Sequence, residues 1–293
     1  MSLAKLFKSD RRVLSFELFP PKSDQGVADL MTTVDELNRH QPDFFTCTYG
    51  AGGSTQNRTL TISGDIRKHK NVPVASHLTC VGSTKDQLRD YLRAAQEAGI
   101  DYIVALRGDP PKGDSEFKAV PGGLSYANEL VELIRGEFPH FGIAVAGYPE
   151  VHQEAPNADV DLENLVRKVK AGADIVVTQL FYDNADFLRF RDRCIQAGID
   201  VPIVPGLLPV LSLSQVQRIA NLCKARLPES FVSRLNERDD PDWQFQVGVE
   251  HATQQAQDLL AEGVQGIHFY VLNKSTATGM ILDNLDGFDS TRR

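Results

Sequence analysis

Residues 72–109 read VPVASHLTCVGSTKDQLRDYLRAAQEAGIDYIVALRGD, and their pattern decides the fold. VPVASHLTC and DYIVALRGD are short and apolar. The KDQLRDYLRAAQEAG between them sets Leu88, Leu92 and Ala95 at helical spacing and ends in Gly99, where a C-cap belongs. A strand, a helix and a second strand imply a right-handed crossover within a parallel sheet. The alternation continues in both directions through VLSFELF, PDFFTCTYG, FGIAVAGYPE, ADIVVTQLF, VPIVPGLLP and GIHFYVLN, for eight runs in all. Helical segments separate them. One is DVDLENLVRKVKAG, with Leu162, Leu165, Val166 and Val169 on one stripe; Gly172 and Gly198 stand at further helix ends. Eight βα units predict an α/β fold, a single (β/α)8 TIM barrel domain over residues 1–293. The glycine-rich turn of an open doubly wound sheet is absent, as are the P-loop and HExxH patterns. The long stretch 226–263 predicts an extra helix before the last strand, and a short N-terminal extension and a polar tail after Leu282 flank the barrel.

Composition narrows the function. With 42% hydrophobic and 24% charged residues the chain is an ordinary globular one. A net charge of −8 speaks against a general nucleic-acid binder, so an anionic ligand must meet a local basic cluster. No run of 18 apolar residues occurs, and MSLAKLFKSDRR is basic without the apolar stretch of a secretory signal; no membrane partner and a cytoplasmic location are expected. Cys47, Cys80, Cys194 and Cys223 are far apart and form no CxxC, which predicts reduced core thiols and no metal site.

A barrel of this kind carries its chemistry at the C-terminal ends of the strands. In VLSFELF the alternation turns Leu14, Phe16 and Leu18 toward the helices and Ser15 and Glu17 inward. A buried carboxylate there must be paired, protonated or near the wet mouth. Polar residues close the other strands: Thr48 and Tyr49, His77 and Thr79, Arg107 and Asp109, Tyr148, and Gln179. Any one of them is explained by a hydrogen-bonded core; their convergence on one rim has the form of a small-molecule site.

SFELFPPK, TYGAGGST from Thr48, HLTC from His77, ALRGDPP, GYPEVHQEA from Gly147 and TQLFYD resemble, in order and across almost the whole chain, the motifs of bacterial methylenetetrahydrofolate reductases. The resemblance implies a flavin-dependent barrel that reduces 5,10-methylenetetrahydrofolate to 5-methyltetrahydrofolate with NADH or NADPH, feeding methionine synthesis. It also implies non-covalent FAD on Tyr49, His77, Arg107, Gly108, Asp109, Tyr126, Ala127, Tyr148, His152, Ala155, Asp161, Asn164, Arg167 and Lys168. The last four fall at helical spacing, and on spacing alone a solvated charged face explains them as well. Glu17 matches the general acid that opens the folate ring, a task for which burial would keep it un-ionised; the structural alternative is an ion pair with Lys22 or Arg107. Asp109 matches a residue between flavin and folate, its alternative being a turn residue before Pro110 and Pro111. Gln179 would contact both substrates in turn, Thr48 would seat the nicotinamide, and the shared flavin face implies ping-pong kinetics. Gln215 matches a folate contact, but Ile219 stands where some relatives have an aromatic residue, and Lys274 where relatives can carry Arg. The resemblance further implies a homo-oligomer without the C-terminal regulatory domain of eukaryotic relatives. Two other classes fit the same residues: a flavin-independent pterin-handling barrel of methyltransferase type, and a non-catalytic flavin- or folate-binding barrel.

Overall fold

The computed structural model describes residues 3–8, 11–49, 56–110, 117–285 and 288. Nine parallel strands wind into a nearly closed barrel in the order β7-β6-β5-β4-β3-β2-β1-β9-β8. They are β1 (Val13–Leu18), β2 (Phe44–Cys47), β3 (Val74–Thr79), β4 (Tyr102–Leu106), β5 (Gly142–Gly147), β6 (Ile175–Thr178), β7 (Ile203–Val204), β8 (Gly206–Leu207) and β9 (Gly266–Tyr270). The helices are α1 (Asp24–Asn38), α2 (Gln56–Lys70), α3 (Lys85–Glu97), α4 (Ala127–Glu137), α5 (Ala158–Lys170), α6 (Asn184–Gln196), α7 (Leu213–Cys223), α8 (Glu229–Leu235), α9 (Pro241–Ala261) and α10 (Thr276–Asp283).

Seven of the eight expected runs each form one strand; VPIVPGLLP forms two. Its first half pairs with β6 and its second with β9. Pro205 lies between them and has no N–H for a ladder, though its carbonyl accepts from His268 N at 3.0 Å. The extra helix expected before the last strand is α8, and Pro241 at the first position of α9 follows the Asp240 cap.

Strand alternation sets the barrel's polarity. Outward residues such as Leu14, Phe16, Phe45, Leu78, Ile103, Ile143, Ile267 and Phe269 pack under the helices. Inward residues near the strand starts, Val13, Phe44, Ala75, Tyr102, Ala144 and Ile175, form a second apolar layer. A 3-10 helix, Leu3–Lys8, plugs that end with Leu3 and Phe7. Its close approach explains Gly142, where a Cβ would stand 2.8 Å from Leu3 Cβ. Three aspartates clamp the same end: Asp43, Asp101 and Asp174 accept from the backbone N–H of Leu14, Val74 and Ile143 at 2.8, 3.1 and 2.7 Å. The apolar floor leaves the opposite end for polar side chains.

Cys47, Cys80 and Cys194 are buried and Cys223 half-buried, all free thiols. Burial pushes the first three up to about 12, which suits the expected inert core role. Among the described residues no helix is long and apolar enough to cross a membrane.

Candidate active site

At the C-terminal ends of the strands a cavity of about 370 Å³ opens into the barrel, lined by Glu17, Tyr49, His77, Arg107, Gly108, Asp109, Tyr148, His152 and Gln179 among others. A groove of about 510 Å³ runs on from it, sharing Arg107, Tyr148 and His152 and adding Tyr126, Ala127, Ala155, Asp161, Asn164, Arg167 and Lys168. Every cofactor contact expected from the sequence therefore borders one continuous trough. Thr48, Gln215 and Lys274 border neither part. Thr48 holds the β1 ladder through its N–H to Leu18, Gln215 Oε1 accepts from Leu211 N at 2.9 Å at the start of α7, and Lys274 is exposed beyond β9. Gly50–Thr55 of the TYGAGGST motif and Pro111 lie outside the described residues. A larger cavity, about 750 Å³, lies between α8 and α9 around Phe231, Arg234, Glu250 and His251, away from the strand ends and without any residue singled out above.

Glu17 sits on the cavity floor at 8% exposure, facing inward as the alternation requires. Its neighbours are neither Lys22 nor Arg107. His77 Nε2 on β3 lies 3.1 Å from Glu17 Oε2, and His268 Nε2 on β9 lies 3.6 Å away. Thr46 Oγ1 donates to the same oxygen at 3.4 Å. Ser15 fixes the second ring, its Oγ 2.8 Å from His268 Nδ1. Burial is the largest single influence on the carboxyl and pushes it up, but His77 and His268 together outweigh it and hold the group at about 2. The expectation of an un-ionised acid is thus corrected for the ligand-free chain, because two imidazoles from strands remote in sequence face the carboxylate.

Two buried polar atoms in this cavity have no aligned partner. His77 Nε2 meets Glu17 as an ion contact rather than an aligned hydrogen bond, and among the described residues Thr79 Oγ1 has no hydrogen-bond partner. Beside them Gly108 adopts φ +87°, and a Cβ there would stand 2.7 Å from Val81 Cγ1 and 3.0 Å from Thr79 Cβ. Only glycine allows the backbone to approach the cavity here. Gln179 is half-buried, its Oε1 turned back onto Leu180 N at 2.9 Å. Asp109 is exposed at the rim.

The groove is basic yet already engaged. Arg107 makes a two-pronged pair with Glu154, at 2.6 and 2.7 Å. Lys168 is turned inward rather than into solvent: Nζ donates to the Ala146 carbonyl and lies 5.9 Å from the Tyr148 ring. Burial lowers it to about 8, against the pull of Asp161. Asp161 Oδ2 accepts from His152 N at 3.0 Å. One face of α5 therefore borders the groove, with Lys168 and Asp161 turned away from bulk solvent; Asn164 and Arg167, exposed and bonded to each other at 3.1 Å, keep a solvated side.

Sequence reasoning missed His268, Tyr270 and Thr46 as lining residues. The signal was present in GIHFYVLN, where His268 and Tyr270 alternate with the outward Ile267 and Phe269. Tyr270 OH donates to the Thr178 carbonyl at 2.7 Å, and burial raises its hydroxyl well above the ordinary range.

The model of the methylenetetrahydrofolate reductase family matches residues 2–286. The 5,10-methylenetetrahydrofolate reductases of Salmonella typhimurium and Escherichia coli are 41% and 40% identical, each over 93% of this chain and 90% of their own length. Methylenetetrahydrofolate reductase (NADH) 1 of Zea mays is 39% identical over 94% of this chain, which spans 48% of that relative. The chain thus spans about half the length of the plant relatives it matches. Among solved structures, an uncharacterized Clostridium thermocellum protein that binds two copies of 5-methyl-5,6,7,8-tetrahydrofolic acid superposes with a TM-score of 0.64 at 12% identity, over 98% of this chain and 99% of that one. That likeness is one of fold.

Proposed function

Because the chain belongs to the methylenetetrahydrofolate reductase family, an oxidoreductase family of folate chemistry, we propose that it reduces 5,10-methylenetetrahydrofolate to 5-methyltetrahydrofolate, with NADH or NADPH as donor and non-covalent FAD. The observation that carries this reading is the floor of the cavity, where a buried carboxylate faces two histidines, with the unpartnered Thr79 hydroxyl beside them, beneath a glycine-walled trough.

The fit to a flavin dinucleotide rests on that donor set. Thr79 Oγ1 is unsatisfied and would be satisfied by a polar ring edge, His77 could turn its ring N–H from Glu17 to the same edge, and Gly108 leaves room for a flat group. Arg107 and Lys168 offer cations for a diphosphate, and Tyr126, Ala127, Asp161 and Asn164 border the outer part where a nucleoside would lie. When bound, FAD supplies hydride transfer between the nicotinamide and the folate.

The protein's own part is binding and proton handling. The five-membered ring of methylenetetrahydrofolate must open to an iminium before its one-carbon bridge can be reduced, and opening needs a proton on the leaving nitrogen. Glu17, on the cavity floor, would give it. In the ligand-free chain the two imidazoles keep the carboxyl ionised; a ligand that engages His77 weakens that hold, and burial, the largest influence, then raises the carboxyl toward a protonated state. Asp109 at the rim sets a negative charge beside the cationic iminium. Gln179, freed from Leu180, would serve both substrates in turn, consistent with ping-pong kinetics. Thr48 for the nicotinamide, and Gln215 and Lys274 for the folate, stand on the family resemblance and require movement of side chains now outside the trough. The same reading places the chain as a single catalytic domain in the cytoplasm, acting as a homo-oligomer and supplying methyl groups for methionine synthesis.

Spectroscopy of the purified protein tests it. A yellow protein whose flavin is bleached by NADH or NADPH and re-oxidised by methylenetetrahydrofolate is expected. A colourless chain that takes up no added FAD would instead favour a flavin-independent pterin enzyme.

A further inference from the structure

All three nitrogens of the Arg107 guanidinium donate to acceptors within the protein. Nη1 and Nη2 meet the two oxygens of Glu154 at 2.6 and 2.7 Å, Nε donates to the Gly108 carbonyl at 3.2 Å, and the guanidinium lies 5.0 Å from the Phe117 ring centre. The same two N–H groups are those a phosphate would need, since carboxylate and phosphate oxygens fit one fork geometry. Glu154 borders the outer groove beside Ala155, within the loop that also carries Tyr148 and His152. Its side chain is 41% exposed against 22% for Arg107, so the carboxylate can swing into water cheaply while the guanidinium cannot be left bare.

We propose that Glu154 is a built-in counter-ligand: it occupies the fork of Arg107 that a phosphate would use, holds the guanidinium extended, and is displaced by the cofactor's diphosphate on loading. The inference rests on the flavin reading above and adds a residue that acts against affinity. The other groove cations do not repeat the arrangement. Lys168 is held by a backbone carbonyl, and Arg167 is bonded to Asn164 with Glu163 at 3.8 Å, in the open. Glu154 therefore holds, through both its oxygens, N–H groups that an incoming anion would use, and it adds negative charge to a groove that must accept one. It has two opposing effects. It steadies the ligand-free chain through the ion pair, and it competes with the ligand.

Those effects separate in Glu154→Gln, which keeps size and hydrogen bonding but removes the charge. Apoprotein of the wild type and the variant is titrated with FAD and with riboflavin by flavin fluorescence, and the ligand-free melting temperatures are compared. The expected result is FAD binding about two- to tenfold tighter in the variant, the range open to one partly exposed competing pair. Riboflavin, lacking the diphosphate, binds equally to both proteins, and the ligand-free variant melts about 1–3 °C lower. Glu154→Ala shifts in the same direction and serves if the glutamine variant does not fold. Unchanged or weaker FAD binding in a folded variant, or an equal gain for riboflavin, overturns the counter-ligand role while leaving the flavin reading intact. A wild-type protein that binds no FAD refutes that reading itself and this inference with it.

Discussion

Replacing Glu17 by Gln in the ligand-free chain tests the cavity floor without assuming any cofactor. The carboxyl is held at about 2 against an ordinary 4.5. At about 1.4 kcal/mol per pH unit that gap is worth at most about 3.5 kcal/mol. The sign follows from the direction. A lowered carboxyl stabilises the folded chain at pH above 4.5, and the contribution is lost as pH falls from 4.5 through about 2. With an unfolding entropy of about 2.1 cal/mol/K per residue, removing it lowers the melting temperature by up to about 6 °C. Melts of both proteins followed by circular dichroism from pH 3 to pH 6 should show the full difference at pH 5–6, narrowing steadily below pH 4.5. Equal melting temperatures at pH 6, or a difference that does not narrow in acid, would refute the claim that His77 and His268 stabilise an ionised Glu17.

Gly108→Ala forces a side chain into φ +87° against Val81 and Thr79; a loss of about 2–5 kcal/mol in urea unfolding is expected, together with at least tenfold weaker FAD binding, and an alanine variant of wild-type affinity would remove the close-approach argument. Lys168, lowered to about 8, carries its charge below that pH, so FAD affinity should fall as pH rises through about 8 and the dependence should vanish in Lys168→Met; a flat wild-type profile contradicts it. Asp109→Asn should raise the flavin midpoint potential, measured by equilibration with a dye, while slowing folate reduction. An unchanged potential would remove the electrostatic part of the Asp109 role.

The barrel was legible because two periodicities coexist in the chain. Leu14, Phe16 and Leu18 beside Ser15 and Glu17 reveal which way β1 faces, and Gly99, Gly172 and Gly198, all at positive φ, mark helix ends that no Cβ-bearing residue reaches as easily. The division of VPIVPGLLP was also written in Pro205, whose missing N–H interrupts the ladder, but periodicity weighs apolar character and not donors. For the trough, the motifs named many of the bordering residues but not Thr46, His268 or Tyr270, and Thr48, Gln215 and Lys274 lie outside it. What the motifs could not supply was pairing. Glu17 and His268 are 251 positions apart in the chain and meet only because β1 and β9 are neighbours in register, so the carboxyl's ionisation was out of reach of local spacing. Arg107 and Glu154 come together in the same way, across the loops that follow β4 and β5.

Stopped-flow measurement of the two half-reactions in Glu17→Gln bears most directly on the central claim, that this buried carboxyl delivers the proton which opens the folate ring. The account expects bleaching of the flavin by NADH or NADPH at a near wild-type rate, and re-oxidation by methylenetetrahydrofolate slowed by about 10²–10⁴-fold. Equal slowing of both half-reactions, or re-oxidation at the wild-type rate, would contradict it.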